Sequence, residues 1–271
     1  MKWMIFIFIM LFVNNIEIDA QRRPTGVKRE VTLEGGFNCR DLGGYETTGG
    51  QRLAMGKLYR SAHLSRLTDH DLIELKQRKI YTVLDFRSKQ EVADAPDRLL
   101  PGTVYLNIPS GNINDSATFA QNKISGFDMM IAFYSDISGL KERFRPFFQQ
   151  LVTQPDTGAL LFHCAIGKDR TGIAAALLLY ALDVPMETIM ADYTATNFFM
   201  KDQNNAIAEQ LVTKYGIEQA TAAQITEAHP AFLRATFEAI NRKYGSVEAF
   251  FNIELGVNEM VKMMLRRKYL L

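Results

Sequence analysis

The chain has 271 residues, of which 47% are hydrophobic, so it can bury a full core as one large domain. Its 31 basic and 30 acidic residues leave a formal net charge of +1. This balance gives no reason to expect binding to nucleic acid or a polybasic contact with a membrane, and any attraction for phosphate must be local.

The first twenty residues have the features of an export signal. Lys2 precedes an apolar run over residues 3–13, which is too short to span a bilayer but fits the core of a secretory signal peptide. Ala20 could close a cleavage site, although Ile18 stands where a small residue is preferred, so a buried N-terminal strand or an uncleaved anchor is the alternative. We predict a signal peptide over residues 1–20, export to the periplasm or the cell exterior, and no stable membrane span in the mature form.

Strand and helix signals then alternate along the chain. Thr68 and Asp71 have the spacing of a helix start, a buried strand is predicted over residues 80–84, and Ser88 and Glu91 form a capping box directly after it. Further strands are predicted over residues 103–108 and 159–162.

The second half of the chain is predicted to be mainly helical. Apolar residues recur at helical spacing between Leu140 and Leu151, although Pro146 is expected to break or restart that helix. The pattern as a whole predicts an α/β fold, with a mostly parallel sheet of about four to five strands flanked by helices and a helical C-terminal part. After Leu182, helices are predicted over roughly residues 197–215, 231–243, 247–251 and 259–268.

The most informative segment joins the strand over residues 159–162 to a helix-forming run over residues 173–180. It separates Cys164 from Arg170 by five residues and places Gly167 between them. A strand, a tight loop and a helix start together aim backbone N–H groups at an anion. A thiol in this position is favoured as its reactive thiolate, and the arginine offers a planar fork of donors to a phosphoryl group.

Residues 163–172 resemble the signature loop of the cysteine-dependent protein tyrosine phosphatases, in which His-Cys is followed by five residues, Arg, and Ser or Thr. The Gly-Lys-Asp-Arg-Thr-Gly ending is similar to a bacterial branch whose members act on phosphotyrosine proteins and often on phosphoinositides. The resemblance implies one tyrosine phosphatase-like catalytic domain over residues 27–271. Further blocks similar to that branch follow in order at residues 37–44, 58–62, 83–88, 244–246 and 255–257.

Each residue of the loop then has an expected role. Cys164 is expected to attack phosphorus, giving a cysteinyl-phosphate that water hydrolyses, while Arg170 binds two equatorial oxygens. Thr171 is expected to donate its hydroxyl to the sulfur, unless it is only a helix cap. Lys168 either reaches the phosphate or is a solvated lysine, and His163 either supports the thiolate or is structural. Main-chain N–H donors for phosphate are expected from Ala165, Ile166 and Gly167.

Protonation of the leaving group needs a carboxylic acid near the phosphate, and two aspartates compete for that role. Asp169 lies inside the loop, as in some lipid-directed relatives, whereas Asp85 closes the neighbouring strand. The chain has no Trp-Pro-Asp sequence, a departure from the eukaryotic tyrosine phosphatases that leaves the acid open. We favour Asp85 for proton transfer, with Asp169 orienting the loop or sharing the role. Arg40 and Asp41 are expected to hold a turn.

Two further features have alternative interpretations. Cys39 is expected to be a small buried residue, and the alternative is that it pairs with Cys164 as a redox lock. Residues 111–134 mix polar with apolar positions, and related bacterial enzymes place a mobile helical lid in this region. The alternative there is a helix packed on the sheet.

The leading hypothesis is a phosphatase that hydrolyses phosphotyrosine in proteins. A phosphoinositide phosphatase is the second, favoured by Lys168 and Asp169, whereas a catalytically dead phosphate-binding module would typically have lost Cys164 or Arg170. No nucleotide is implied, because Phe162 and Asp169 stand where a nucleotide-binding loop needs Gly and Ser or Thr. No metal or other cofactor is implied either, because the four histidines lack metal-ligand spacing.

Overall fold

A computed structural model describes residues 28–109 and 125–271 of the chain. The predicted signal peptide over residues 1–20 and most of the predicted lid segment lie outside these described residues. Within the two described ranges, no helix combines the length and the apolar character needed to cross a bilayer.

Five strands form one central sheet, in the spatial order β1-β2-β5-β3-β4. The four longer strands run parallel to one another, and only β1 is antiparallel, to β2. This confirms the predicted α/β class and its mostly parallel sheet. The strands are β1 (Arg40–Asp41), β2 (Leu58–Ser61), β3 (Ile80–Asp85), β4 (Val104–Asn107) and β5 (Ala159–His163).

Helices flank the sheet and form the whole C-terminal part of the chain, as predicted. The first five are α1 (Asp69–Gln77), α2 (Lys89–Asp94), α3 (Gly126–Ser135), α4 (Leu140–Thr153) and α5 (Asp169–Ala181). The others are α6 (Met186–Thr194), α7 (Thr196–Phe199), α8 (Lys201–Tyr215), α9 (Gln219–Thr226), α10 (Pro230–Tyr244), α11 (Val247–Phe250), which continues as a π-helical turn (Phe251–Leu255), and α12 (Glu259–Tyr269).

Alternate side chains of the central strands enter separate cores on the two faces of the sheet. Leu160 and Phe162 of β5 pack into the larger core, together with apolar residues of α4, α5 and α10. Leu161, between them, enters the smaller core beside Leu75 of α1. A sheet covered on both faces needs apolar residues at successive positions, which explains why β5 is a continuous apolar run.

The predicted helix starts are confirmed. Thr68 and Asp71 form a capping box at the start of α1, and Ser88 and Glu91 form one at the start of α2. The expected break at Pro146 is wrong, because α4 continues through this residue. The apolar side of α4 is fully buried, which holds the helix together across the one backbone position that lacks an N–H group.

Helix α3 accounts for the described end of the predicted lid segment. Its Tyr134 is almost completely buried, and Thr236 of α10 donates a hydrogen bond to the Tyr134 carbonyl at 2.7 Å. The rings of Phe127 and Phe232 lie 5.2 Å apart across the same interface. This part of the segment is therefore a packed helix, and its earlier residues lie outside the described residues.

Candidate active site

The register of the parallel strands brings their carboxyl ends to one edge of the sheet. His163, the last residue of β5, pairs with Ser61 on one side and with Asp85 on the other. Asp85 in turn pairs with Asn107 of β4. Cys164 follows β5 directly, so the candidate nucleophile lies in the crevice where such sheets bind ligands.

The loop from Cys164 to the start of α5 curls tightly against β2. Gly167 has φ of 76°, and a Cβ at this position would lie 2.4 Å from the Ser61 carbonyl oxygen. Only glycine accommodates both the left-handed backbone and this close approach. The curl directs the Gly167 N–H group to Cys164 Sγ at 3.3 Å. The sulfur thus accepts a backbone N–H group of the loop, just before the beginning of α5.

Arg170 is oriented by a bidentate ion pair with Glu91. Its Nη1 and Nη2 atoms donate to the two carboxylate oxygens at 2.8 Å each, and Nη1 also donates to the Phe86 carbonyl at 3.2 Å. Burial alone would lower the pKa of Arg170, but Glu91 and Cys164 raise it above its usual value, so the side chain stays cationic. The sequence had indicated Glu91 only as a helix cap, because nothing in the local pattern shows that α2 faces the loop.

Two buried donors of the site are unsatisfied. Arg170 Nε and Thr171 Oγ1 are shielded from solvent and have no hydrogen-bond partner among the described residues. The hydroxyl–sulfur bond expected of Thr171 is therefore not formed in this conformation. Buried donors without partners are costly, and they mark a position that suits an anionic ligand.

Lys168 is turned away from the loop. Its side chain is buried, and Nζ donates to the carbonyl oxygen of Ile225 and, at 3.2 Å, to that of Glu227. Nζ also lies 3.3 Å from Asp169 Oδ1. The amine thus ties the loop to the C-terminal end of α9 and the residue that follows it. The structure contradicts the expected alternatives for Lys168, because the side chain is neither in the phosphate position nor solvated.

The two candidate acids have different surroundings. Asp85 is fully buried and accepts hydrogen bonds from Arg87 Nη2 at 2.7 Å and from the Tyr105 hydroxyl at 2.8 Å. Burial would raise the pKa of Asp85, but His163 and Arg87 lower it overall. An enclosed carboxylate that is held ionised cannot readily give a proton to a leaving group, so the geometry argues against the favoured assignment of Asp85.

Asp169 remains partly open to solvent. Its side chain is 21% exposed, and the Tyr134 hydroxyl donates to Oδ1 at 2.7 Å. Tyr134 is itself within 2.7 Å of the Tyr193 hydroxyl, so a buried pair of tyrosines fixes the carboxylate. Both the Tyr134 and the Lys168 contacts go to Oδ1, and no hydrogen bond from the described residues reaches Oδ2. Among the described residues, Oδ2 is therefore the oxygen of Asp169 that remains without a hydrogen bond.

His163 is completely buried beneath the loop. Its Nδ1 lies 3.1 Å from the Cys164 carbonyl oxygen, and its Nε2 lies 2.9 Å from Asp97 Oδ2. Burial would lower the pKa of His163, but Asp97 and Asp85 raise it overall. The ring therefore braces the backbone of the nucleophile, which agrees with the structural interpretation of this residue.

Two clusters in the described part of the chain have the residue types of a metal site. One consists of Asp85, Asp97 and His163, but Arg87 Nη2 lies 2.7 Å from Asp85 Oδ2 and 2.8 Å from Asp97 Oδ1. This guanidinium occupies the place of a cation. The other consists of Glu34, His70 and Asp71, and there Asp71 is already bound by the N–H groups of Glu34, Gly35 and Thr68.

The block around residues 38–43 has two roles. Asp41 accepts hydrogen bonds from the N–H groups of Gly43 at 2.7 Å and Gly56 at 2.6 Å, which are the turn contacts expected of it. Arg40 does more than hold a turn, because its Nε donates to Asp192 Oδ1 of α6 at 3.1 Å. Asp192 is a site residue that the sequence did not reveal, since it lies on a helix outside every recognised block.

Comparison with known proteins agrees with this site. The family described as "Tyrosine phosphatase family" matches residues 31–271. The chain belongs to the tyrosine phosphatase family. The predicted enzyme class is thereby confirmed.

Curated relatives cover most of the chain. A protein of Cupriavidus necator named as a tyrosine-protein phosphatase is 33% identical over 227 residues, which is 82% of each chain. The triple specificity protein phosphatase PtpB of Mycobacterium tuberculosis is 27% identical over 264 residues, 84% of this chain and 94% of PtpB. The crystal structure of P. aeruginosa TpbA aligns with a TM-score of 0.30 at 15% identity over 69% of this chain and 89% of TpbA, a likeness too distant to inform the site.

Proposed function

We propose that this enzyme hydrolyses phosphotyrosine in proteins through a cysteinyl-phosphate intermediate. The Cys164 thiolate attacks phosphorus, a P–S bond forms, and the P–O bond to the tyrosine breaks. Asp169 gives its proton to the departing phenolate oxygen. A water molecule then attacks phosphorus, the P–S bond breaks, and Asp169 takes back a proton as phosphate and the thiolate are released.

One observation carries this proposal. The Gly167 N–H group contacts the Cys164 thiol, and the first turn of α5 carries two buried groups, Arg170 Nε and Thr171 Oγ1, that have no hydrogen-bond partner among the described residues. Donors fixed before the substrate arrives can stabilise the charge that spreads over the equatorial oxygens in the transition state. In this proposal, the phosphoryl oxygens of the substrate are the partners of these buried donors.

Asp169 is assigned as the acid and base because its side chain is partly exposed and its Oδ2 has no hydrogen bond from the described residues. The Tyr134 hydroxyl and Lys168 Nζ hold Oδ1 of the carboxylate form, which is the form needed in the second step. Partial exposure lets the residue regain a proton between turnovers. Asp85 supports the loop instead, because its carboxylate fixes Arg87 beside His163.

The test is a trapping experiment with two cysteine variants. Cys164→Ser is expected to abolish release of phosphate from a phosphotyrosine peptide while the peptide still binds, because a hydroxyl is a much poorer nucleophile than a thiolate. Cys39→Ser, the matched control, should leave turnover intact. In Asp169→Asn, mass spectrometry after a rapid acid quench should find the phosphoryl group on the peptide that contains Cys164. Turnover by Cys164→Ser, or a phosphoryl group on another residue, would contradict the mechanism.

Phosphoinositides are the second candidate substrate class. Lys168 had favoured them in the sequence, but its amine is bound to backbone carbonyls. Arg143 provides a different reason to consider phosphoinositides as substrates. Its Nε is buried and has no hydrogen-bond partner among the described residues. Burial and the neighbouring Arg170 lower the pKa of Arg143 to about 10, so it is a second cation at neutral pH near the site. The experiment that decides between phosphotyrosine proteins and phosphoinositides compares kcat/KM for a phosphotyrosine peptide with kcat/KM for a soluble phosphoinositide. Both values are measured in wild type and in Arg143→Met.

A further inference from the structure

The outer side of the catalytic loop is held by two side chains from the N-terminal part of the chain. Asn38 Nδ2 donates to the Ile166 carbonyl oxygen at 3.1 Å, and Arg60 Nη2 donates to the Gly167 carbonyl oxygen at 2.8 Å. Both side chains are buried. The two consecutive carbonyl groups at the centre of the loop therefore point away from Cys164.

The planarity of the peptide bond converts these two contacts into a constraint on the inner side. In a trans peptide, the carbonyl of one residue and the N–H of the next point in opposite directions. Asn38 holds the Ile166 carbonyl outward, which directs the Gly167 N–H inward, where it lies 3.3 Å from Cys164 Sγ. By the same geometry, the hydrogen bond from Arg60 to the Gly167 carbonyl directs the N–H of Lys168 away from Arg60.

This loop needs external restraint because it contains the least restricted residue type. Glycine adopts positive and negative φ with similar ease, so the peptides on either side of Gly167 can rotate. A rotated peptide would place a carbonyl oxygen where an N–H is needed, beside a thiolate and an anionic substrate. Loss of the outer hydrogen bonds should therefore weaken the inner donors, although no inner residue has changed.

We propose that Asn38 and Arg60 are positioning residues that fix the peptide orientation of the catalytic loop and so keep its N–H groups directed at the thiolate and the phosphoryl group. The proposal rests on the proposed function and adds to it the part of the fold that preorganises the site. It also gives a physical role to the blocks at residues 37–44 and 58–62, which lie more than a hundred residues before the nucleophile.

Asp192 connects the two positioning residues. Its Oδ2 accepts a hydrogen bond from Arg60 Nη1 at 2.5 Å, and its Oδ1 accepts one from Arg40 Nε at 3.1 Å. Arg40 Nη1 in turn donates to Asn38 Oδ1, which leaves the Asn38 amide nitrogen to face the loop. Burial would raise the pKa of Asp192, but Arg40 and Arg60 hold it well below its usual value.

The network carries two guanidinium groups for one carboxylate, so a net positive charge lies under the loop. Charges buried in this way interact more strongly than charges in water, so the ion pairs hold Arg60 firmly against the Gly167 carbonyl oxygen. Asn38 has φ of 57°, a left-handed conformation that asparagine and glycine tolerate better than most residues. This backbone requirement determines which substitutions test the idea without straining the chain.

The test compares Asn38→Gly, Asn38→Asp and Arg60→Lys with Tyr45→Phe. Glycine keeps the backbone conformation and removes the donor, aspartate keeps the shape and presents an acceptor, and lysine cannot bridge Asp192 and the loop as the guanidinium fork does. Tyr45→Phe is the matched control, because Tyr45 donates to Asp192 Oδ1 at 3.0 Å but does not touch the loop.

Three measurements are made on each folded variant: kcat/KM for an aryl phosphate, the pH profile of Cys164 alkylation by iodoacetate, and the melting temperature. The Asn38 and Arg60 variants should lose about 10²-fold in kcat/KM, the scale of a small misplacement in an active site. Their alkylation profiles should move to higher pH, because the thiolate has lost inner donors. Tyr45→Phe should lower the melting temperature and leave the profile in place.

Two results would overturn the proposal. One is a wild-type alkylation profile and wild-type kcat/KM in folded Asn38→Gly and Asn38→Asp. The other is an equal loss in Tyr45→Phe at the same decrease in melting temperature, which would make the effect one of stability alone. Cys164→Ser separates this failure from that of the proposed function, because an inactive Cys164→Ser beside normal Asn38 variants removes only the positioning role.

Discussion

Glu91 and Arg170 form a bidentate ion pair in which one carboxylate serves two purposes. Its oxygens accept from Arg170 Nη1 and Nη2 at 2.8 Å each, and Oε2 also accepts the Ser88 N–H at 2.7 Å as part of a capping box. The first turn of α2 therefore supports Arg170, the residue proposed to bind phosphate. Because the fork uses both terminal nitrogens, its direction is fixed before any substrate arrives.

Substitution of Glu91 should impair catalysis more than stability. Glu91→Gln keeps the size and the capping hydrogen bond but loses the charge, so Arg170 is oriented less firmly, and kcat/KM for an aryl phosphate should fall about 10-fold or more. Gln90→Ala, at the exposed neighbouring position, is the control and should leave kcat/KM unchanged. A Glu91→Gln enzyme with normal kcat/KM would show that Arg170 needs no such support.

The pair also makes a pH-dependent contribution to stability. Burial would raise the pKa of Glu91, but Arg170 and Ser88 lower it overall. A carboxylate with a depressed folded-state pKa stabilises the fold above its unfolded pKa of about 4.3, and this contribution is lost as the pH falls through the folded value. The difference in melting temperature between wild type and Glu91→Gln should therefore shrink below about pH 4.

The two aspartates should separate by function. Asp169→Asn is expected to lose the basic limb of the pH–rate profile and about 10²–10⁴-fold in rate for a poor leaving group, with a milder loss for an activated aryl phosphate. Asp85→Asn should instead lower the melting temperature, because Arg87 loses one of its two buried carboxylate partners. If Asp85→Asn shows the leaving-group dependence and Asp169→Asn does not, the assignment of the acid is reversed.

Lys168→Met tests whether the lysine acts on substrate or on the fold. Its buried amine bonds to the carbonyl oxygens of Ile225 and Glu227 at the C-terminal end of α9, so its loss should cost about 1–3 kcal/mol of unfolding free energy. KM for a phosphotyrosine peptide should change little. Lys214→Met, on the C-terminal turn of α8, is an exposed control for stability. A large rise in KM without loss of stability would place Lys168 on the substrate instead.

His163 should make stability depend on pH in the opposite sense to Glu91. Asp97 and Asp85 raise its pKa against the effects of burial and of Arg87. A histidine with a raised folded-state pKa stabilises the fold fully below its unfolded pKa of about 6.5, and the contribution is lost as the pH rises through the folded value. The melting-temperature gap between wild type and Asp97→Asn should therefore be widest below about pH 6.5 and narrow at higher pH. A gap that does not vary with pH would contradict this.

Cys39 should not protect Cys164 from oxidation. The two free thiols lie in the cores on opposite faces of the sheet, and burial raises the pKa of Cys39 to about 12. The register pairs Arg40 with Arg60 and Arg60 with Phe162. Cys39, the residue before Arg40, therefore lies about two strand spacings from β5, roughly 10 Å and beyond the limit of about 7 Å for a disulfide. Wild type and Cys39→Ser should recover equal activity in dithiothreitol after brief peroxide treatment. Poorer recovery of activity in Cys39→Ser than in wild type would instead support the pairing of Cys39 with Cys164 as a redox lock.

The sequence determined the features that depend on neighbouring residues. Strands β3 to β5, the capping boxes at Ser88 and Thr68, and the loop from Cys164 to Arg170 all have local signals, because periodicity, cap geometry and loop curvature are set within a few residues. Those signals were sufficient to predict the sheet, its carboxyl edge and the enzyme class.

Only the tertiary structure decided which side chains meet at the loop. Glu91 appeared as a cap, Lys168 as a phosphate ligand or a solvated lysine, and Asp85 as the acid, because local sequence does not show which element packs against which. The structure brings α2 to Arg170, binds Lys168 to carbonyl oxygens, and encloses Asp85 with Arg87. Asn38, Arg60 and Asp192 meet from three distant parts of the chain, and hydrogen bonds over such separations depend on the packing of the whole fold.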